Sequence, residues 1–397
     1  MSRTVIITDG EQRAALAVVR SLGRAGWRTV VCSALGRSLA GGSRFAHAEA
    51  TVPDPLTAPD AFADAVARLA LDHRADLLLP IAEPAMLAIL DARPAFAGVR
   101  LPFPSAEAFR TVSDKGLLLQ RAASADLAIP AQMTLSGPGD LEALDPASWT
   151  FPVVIKPVRS VAEAGGRRIS LRVLHAGDAA ELRHHISQLP AAAFPLLLQQ
   201  RIVGPGVGVF LLLWEGECRG VFAHRRILEK PPSGGVSVYR EAIAAEPELV
   251  GRSRALLESF GWTGVAMVEF KVDAATGRPY LMEVNGRFWG SLQLAIDAGV
   301  DFPALLAEAA LGLPARELLP YRVGVRSRWS WGVVDHLLAR LRRTDRQLGL
   351  PPGSPSRTAT VVMILASLIR TEDRDEVFRL DDPGPLLRES LAWLRGR

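Results

Sequence analysis

The stretch from Val265 to Arg287 constrains this chain most. Val265, Met267, Glu269 and Lys271 alternate with Ala266, Val268, Phe270 and Val272. That period-two pattern, rich in β-branched residues, predicts a strand. Ala274 to Pro279 is turn chemistry: Gly277 tolerates positive φ, and Pro279 has its φ fixed by its ring. Tyr280 to Val284 predicts the returning strand. Glu283 and Asn285, two apart, share one face, and an antiparallel return brings Glu269 near Glu283. Two carboxylates and an amide oxygen suit a hard dication. Mg²⁺ keeps several waters and is usually held by one or two carboxylates plus substrate phosphates. At this point the competing reading is an ordinary surface hairpin whose polar face carries two acids.

Lysine usage bears on that choice. Of the 46 basic residues only Lys115, Lys156, Lys230 and Lys271 are lysines. Where arginine serves nearly everywhere, a retained lysine suggests a place for a compact point charge rather than a wide planar fork, as on a phosphate. A coding bias that left four lysines by chance is the alternative.

The other bulk properties exclude whole classes. With 397 residues the chain is expected to form two or three packed units, and 49% hydrophobic with 22% charged residues is ordinary globular composition. Cys32 and Cys218 stand far apart, so neither a disulfide framework nor a cysteine zinc site is indicated. The opening Met1 to Thr8 is too short and too soon polar for a signal peptide. No apolar run reaches the roughly 18–20 residues of a membrane span. The longest, Val361 to Ile369, is expected to be a buried core element. A cytoplasmic enzyme that binds neither membrane nor nucleic acid is the expectation. The net charge of +4 is mild, and the basic stretch Leu337 to Arg343 reads as a solvated helix face.

Along the chain, Thr4–Thr8, a helix over 12–25, Trp27–Cys32, a helix over 60–71 and Asp76–Ile81 predict a parallel α/β start. The first turn, Thr8-Asp9-Gly10-Glu11-Gln12, lacks the GxGxxG phosphate fingerprint, which disfavours a dinucleotide oxidoreductase. Phe151 to Pro157 predicts a strand carrying Lys156 near its end, and a lysine there is costly unless it meets an anion. A glycine-bearing loop follows over 158–168. Strands over 196–200 and 207–213, a helix near 303–311 and a final helix over 384–396 complete the outline.

Ser113-Asp114-Lys115, Val154-Ile155-Lys156-Pro157, Gln199-Gln200-Arg201-Ile202, Glu269 and Glu283-Val284-Asn285-Gly286-Arg287 occur in this order and spacing in ATP-grasp enzymes, and the chain resembles that superfamily over residues 4–315. His224 to Ser237 and Phe288 to Pro303 resemble the bacterial subgroup of carbamoyl-phosphate-synthetase-large-subunit-like carboxylate–amine ligases. The resemblance implies a mixed α/β and α+β three-domain architecture. Its parts are a parallel α/β domain (1–112), a small α+β lid (113–203), a larger α+β lobe (204–320) and a C-terminal helical extension (321–397).

The implied chemistry uses ATP and Mg²⁺ (or Mn²⁺) to activate a small-molecule carboxylate as an acylphosphate, which an amine attacks. Lys115 and Lys156 are then expected on phosphate oxygens. Gln199, Gln200 and Ile202 form the adenine hinge, with Met282 as its floor. Glu269, Glu283 and Asn285 hold the metal. Arg287 is the catalytic cation, and Arg225 and Lys230 act on the substrate beside it. Arg226 and Arg240, on the stretch expected to face the site, suit a carboxylate. Ser233-Gly234-Gly235 can offer N–H groups to an anion. A homodimer is compatible with the resemblance.

The chain also departs from the wider pattern. Its lid loop, 159–168, has two glycines and three arginines, which suggests guanidinium charge in place of backbone donors over ATP. Val207 stands where a ribose-binding acid is expected. A non-catalytic nucleotide-binding module and a carboxylase of the biotin-carboxylase type are the alternative functions.

Overall fold

The computed structural model describes residues 3–141, 145, 148–164, 167–351, 353–370 and 373–396. The N-terminal unit is a four-stranded parallel sheet of β1 (Thr4–Ile7), β2 (Arg28–Ser33), β3 (Ala46–Thr51) and β4 (Leu77–Leu79), in the order β3-β2-β1-β4. Helices α1 (Arg13–Arg24) and α2 (Pro59–Asp72) make the crossovers from β1 to β2 and from β3 to β4, and α3 (Glu83–Asp91) follows β4. The strand β3, Ala-His-Ala-Glu-Ala-Thr, is weakly patterned and escaped the sequence reading. At the C-terminal edge of the sheet Asp9 has φ 55°. Its carboxylate accepts the Ile81 and Ala82 N–H groups at 3.1 and 2.9 Å. The turn after β1 is thereby tied to the turn that opens α3, which carries Glu83.

Helices α4 (Ala106–Ser113) and α5 (Lys115–Ala122) lead to the lid. There β5 (Gln132–Leu135), β6 (Val153–Pro157), β9 (Leu174–Ala176) and β10 (Leu196–Gln200) form a sheet in the order β5-β10-β6-β9. A separate hairpin, β7 (Val161–Ala164) with β8 (Arg167–Ser170), and α6 (Ala179–Ser187) complete the unit. The lid has its own small core of Leu135, Val153, Ile155, Leu182, Ile186 and Leu198.

The lobe is built on β11 (Gly206–Trp214), β12 (Glu217–Lys230), β13 (Val236–Ala242), β14 (Gly264–Val272) and β15 (Pro279–Asn285), with α7 (Pro247–Glu258), α8 (Leu292–Ala298) and α9 (Phe302–Ala310). Two more strands, β16 (Arg326–Arg328) and β17 (Asp373–Asp375), extend its sheet to the order β15-β14-β11-β12-β13-β16-β17. One apolar core joins Ile6, Phe62 and Phe109 to Leu211, Val268 and Phe270. A second joins Val5, Leu16 and Val19 to Phe210, Trp289 and Phe302. The N-terminal unit and the lobe therefore share both cores, and the lid keeps a third to itself.

Residues beyond 320 are woven into this body. Besides β16 and β17 they contribute α10 (Ser330–Arg342), α11 (Arg357–Ile369) and α12 (Gly384–Leu394). Arg20 on α1 is 1% exposed and spends its donors on this segment: Asp382 Oδ2 at 2.8 Å and the carbonyls of Glu376, Val377 and Asp382 at 2.9, 2.7 and 3.1 Å. Glu376 pairs with both Arg13 and Arg240. The expectation that Val361 to Ile369 is a buried element is corrected. On α11 only one face is covered, with Met363 and Ile364 packed against Leu228, Val238 and Val333. Val362, Leu365, Leu368 and Ile369 stay exposed.

Glu389 on α12 accepts the Trp329 indole N–H at 2.7 Å, and burial pushes its carboxyl up to about 7. A carboxyl raised on folding is favoured protonated. Its contribution is complete below about pH 4.5 and is lost as pH rises through 7. Asp9, pushed up by burial to about 6, acts in the same direction. Between pH 5 and 8 Glu389 should therefore contribute a fall in thermal stability on the order of 2–3 kcal/mol as pH rises, opposed below about pH 6.5 by the buried His175, His224 and His336, which folding favours in the neutral form. Glu389→Gln, which keeps the indole bond, should flatten that slope. Parallel curves for the two proteins would refute this assignment.

Candidate active site

The expected hairpin forms. Glu269 on β14 faces Glu283 on β15 in antiparallel register, and a bulge follows because Phe270 pairs with Leu281. Met282 is the extra residue, and the bulge explains why Met282 and Glu283, neighbours in sequence, both line the same cleft. Asn285 donates to Glu283 Oε1 at 3.1 Å, and Arg287 reaches Asn285 Oδ1 at 3.4 Å and its neighbour's carbonyl at Phe288 at 3.0 Å.

Lys115 is held by its own motif. Asp114 caps α5 through the Gly116 and Leu117 N–H groups at 3.0 and 3.2 Å, and the Lys115 N–H donates to Val158 O at 2.8 Å. The side chain then donates to Ser160 Oγ at 3.0 Å and stands 3.9 Å from Glu283 Oε2. Lys156, on β6 opposite Leu197, is 8% exposed and enters from the lid side. Burial pushes Lys156 down, against the pull of Glu283. Burial likewise pushes Glu283 up, but Lys115, Lys156, the Asn285 amide and Arg226 together outweigh it and hold the carboxyl below its usual range. Glu269 goes the other way, raised by burial despite Arg226 beside it.

These groups border a cavity of about 810 Å³, large enough for a nucleotide and a small substrate. At one end lie Gln199, Gln200, Ile202, Met282 and Val154. The two glutamine side chains are tied off, Gln199 to Gln132 Oε1 at 2.6 Å and Gln200 to Thr150 O at 3.0 Å, so this end presents chiefly backbone and apolar groups. At the other end lie Arg13, His224, Ser237, Trp289 and Ser291. His224 is buried edge-on to Phe210, with ring centroids 4.8 Å apart, and burial with Arg226 and Arg240 nearby keeps it neutral. It forms floor rather than a proton carrier. A polar recess beside Glu283 is lined by Lys115, Ser160, Asn285, Arg287 and, from the N-terminal unit, Glu83. Burial raises Glu83, against the pull of Arg287 and Lys115.

Some expected residues stand elsewhere. Arg225 does not line the cleft. Successive strand residues face opposite sides, and on β12 it is His224 and Arg226 that point inward. Arg225 turns outward to Glu241, at 2.6–2.8 Å, which also holds Arg326. Arg240 is fully buried and bonded to Glu376 and the Ser237 carbonyl. Lys230 does line the cleft, but its ammonium is paired with Asp335 and lies 5.3 Å from the Trp329 ring centroid. Ser233, Gly234 and Gly235 border the cleft as expected.

In the lid loop, Gly165 and Gly166 lie outside the described residues. Two of its arginines are committed away from the cleft. Arg159 pairs with Asp114 at 3.2 Å, and Arg168 pairs with Asp91 at 2.6 Å while its N–H donates to Leu56 O at 2.9 Å.

The sequence reading missed Glu83, Ser160 and the glycines of β11. Gly206 and Gly208 fall on the cleft face of that strand. A Cβ at Gly206 would meet Arg226 Cδ at 2.8 Å, and one at Gly208 would meet His224 Nε2 at 3.1 Å. Their i, i+2 spacing in a strand was the available signal. For Glu83 the signal was an acid just past the end of a parallel strand, where open α/β sheets bind ligands.

Glu269, Glu283 and Asn285 fit a dication that completes its shell with phosphate oxygens and water. Among the described residues no group of three or more His, Cys, Asp or Glu gathers into a metal site.

Residues 193–332 match the family described as ATP-grasp in the biosynthetic pathway with Ter operon. Curated protein sequences gave no match. Among solved structures, an L-amino acid ligase from Bacillus licheniformis is similar at 20% identity and TM-score 0.60, over 78% of this chain and 74% of that one. The biotin carboxylase domain of a Hydrogenobacter thermophilus 2-oxoglutarate carboxylase, with MgADP and bicarbonate, is similar at 17% identity and TM-score 0.62, over 82% and 74%. N5-carboxyaminoimidazole synthetase from Staphylococcus aureus, with ADP, is similar at 15% identity and TM-score 0.61, over 82% of each chain. The fold is the ATP-grasp fold. No helix among the described residues is long and apolar enough to cross a membrane.

Proposed function

We propose that this ATP-grasp chain is an ATP-dependent ligase that joins a small-molecule carboxylate to an amine, releasing ADP and phosphate. The observation that carries the reading is the register of Glu269 with Glu283, with Asn285 on the same strand and Lys115 and Lys156 acting on Glu283 from two other elements. Phosphoryl transfer needs charge neutralisation and alignment more than covalent help. Glu269, Glu283 and Asn285 would hold a magnesium ion that accompanies ATP, and the ion would supply charge neutralisation to the phosphates.

The remaining roles fall to the chain's own side chains. Lys115 and Lys156 hold phosphate oxygens, and Gln199 to Ile202 with Met282 receive the base. Arg287, between the cavity and the polar recess, stabilises charge on the transferring phosphoryl group and the acyl oxygen. Glu83 faces that cation from the N-terminal unit and is suited to hold the attacking amine and take its proton. The carboxylate oxygen gains the γ-phosphoryl group as ADP leaves. The amine nitrogen then forms its bond to the acyl carbon as phosphate leaves.

Two measurements test the reading. MgATP at 100 times its Kd should stabilise the protein by about 2.7 kcal/mol, seen as a rise in melting temperature. ADP release should require a carboxylate and an amine together, found by pairwise screening of amino acids. No thermal shift with MgATP would sink the nucleotide site. Release driven by bicarbonate without an amine would replace the ligase with a carboxylating enzyme.

A further inference from the structure

Arg226 occupies an unusual place. It arises on β12, yet its guanidinium reaches Glu269 on β14, two strands away. At a strand spacing of about 4.8 Å that span is on the order of 10 Å, within reach of an extended arginine and few other side chains. Gly206 on the intervening β11 makes the crossing possible, since a Cβ there would lie 2.8 Å from Arg226 Cδ. Both terminal nitrogens are engaged: Nη2 to Glu269 Oε2 at 2.5 Å, and Nη1 to Glu229 Oε1 at 2.8 Å and to Gly235 O at 3.1 Å, while the buried Nε has no hydrogen-bond partner among the described residues. The side chains of Arg226, Glu269 and Glu229 are only 12, 12 and 15% exposed.

A buried carboxylate without a counter-ion is costly, and Glu269 has Arg226 where a metal ligand would have its metal. The surroundings are already cation-rich. Glu229, Glu269 and Glu283 meet Arg226, Lys115, Lys156 and Lys271, the last 3.8 Å from Glu229. A dication arriving alone adds to a positive excess and must also evict a guanidinium. A dication carried by a triphosphate brings net negative charge, which the lysines receive while Glu269 changes partner.

We infer that Arg226 is the resident counter-ion of Glu269, displaced only by a dication that arrives with nucleotide phosphates, so that metal and nucleotide enter this site as one complex. This rests on the nucleotide–metal reading above. It makes Arg226 a positioning residue. Its bond to the Gly235 carbonyl further links metal occupancy to the turn between β12 and β13 that borders the cleft.

The test is Mn²⁺ binding to the full chain, by calorimetry or by the free-Mn²⁺ spin-resonance signal, with and without ADP. Wild type should bind Mn²⁺ at least tenfold more tightly with ADP present. Arg226→Met should tighten nucleotide-free Mn²⁺ binding at least tenfold. Gly206→Ala, which keeps every charge but crowds the crossing, should shift it the same way by a smaller factor and guards against misfolding of the first variant. If wild type binds ADP with Mn²⁺ but neither substitution changes nucleotide-free binding, or both weaken it, the inference falls alone. If wild type binds ADP under neither condition, the nucleotide reading falls with it.

Discussion

Glu283→Gln should lower ADP release at least a thousandfold, about 4 kcal/mol of transition-state stabilisation, while leaving the protein folded. The carboxylate is the meeting point of the site. It faces Glu269 across the hairpin, accepts from Asn285, stands 3.9 Å from Lys115 and is drawn below its usual range by Lys115 and Lys156. Glutamine preserves the shape and an acceptor oxygen but removes the charge. Without it the two lysines repel one another uncompensated and a dication loses a ligand. The MgATP-induced thermal shift should shrink with turnover. A variant that keeps turnover within tenfold of wild type would remove Glu283 from the metal role.

Arg20→Ala should produce the largest loss of stability. Arg20 and Asp382 are each 1% exposed, and Asp382 also accepts from Ser43 Oγ at 2.7 Å and the Arg44 N–H at 2.8 Å. Truncating one partner of such a buried pair typically costs about 3–5 kcal/mol because the other charge is stranded. Asp382→Ala should cost a similar amount. The double variant should cost less than the sum, since the two act on one network. Denaturant unfolding measures all three. Arg20 also holds the Glu376 carbonyl, and the Glu376 side chain engages Arg13 at the cleft. Residual activity should therefore fall further than the lost stability alone predicts. Additive or negligible losses would show that the segment docks through its strands instead.

The hairpin was legible because its information is local. Alternation fixes which residues share a face, and the turn residues fix where the strand returns. The parallel start was legible for the same reason, apart from β3, whose small residues carry little pattern. Arg225 and Arg226 were not separable. Which of two neighbouring strand residues faces the cleft depends on pairing with β11 and β13, and bulges between Arg226 and Glu229 break the simple count. Glu83 was invisible to motif reading because it reaches the recess from another unit. Gly206 and Gly208 contribute by lacking side chains, and such a contribution shows only once the arginine above them is in view. The apolar run at 361–369 misled because hydrophobicity reports the wish to be covered, not the presence of a cover.

The four lysines line the cavity or the recess beside it. Seen from outside, the folded chain therefore offers side-chain amines in one place. Reagents and modifying enzymes that seek lysine have no neutral patch of surface to decorate, and any lysine acylation or cross-link they achieve falls on the cleft. Lysine labelling, ordinarily a diffuse probe, becomes a gauge of occupancy for this protein, with protection by a bound nucleotide readable from a handful of peptides.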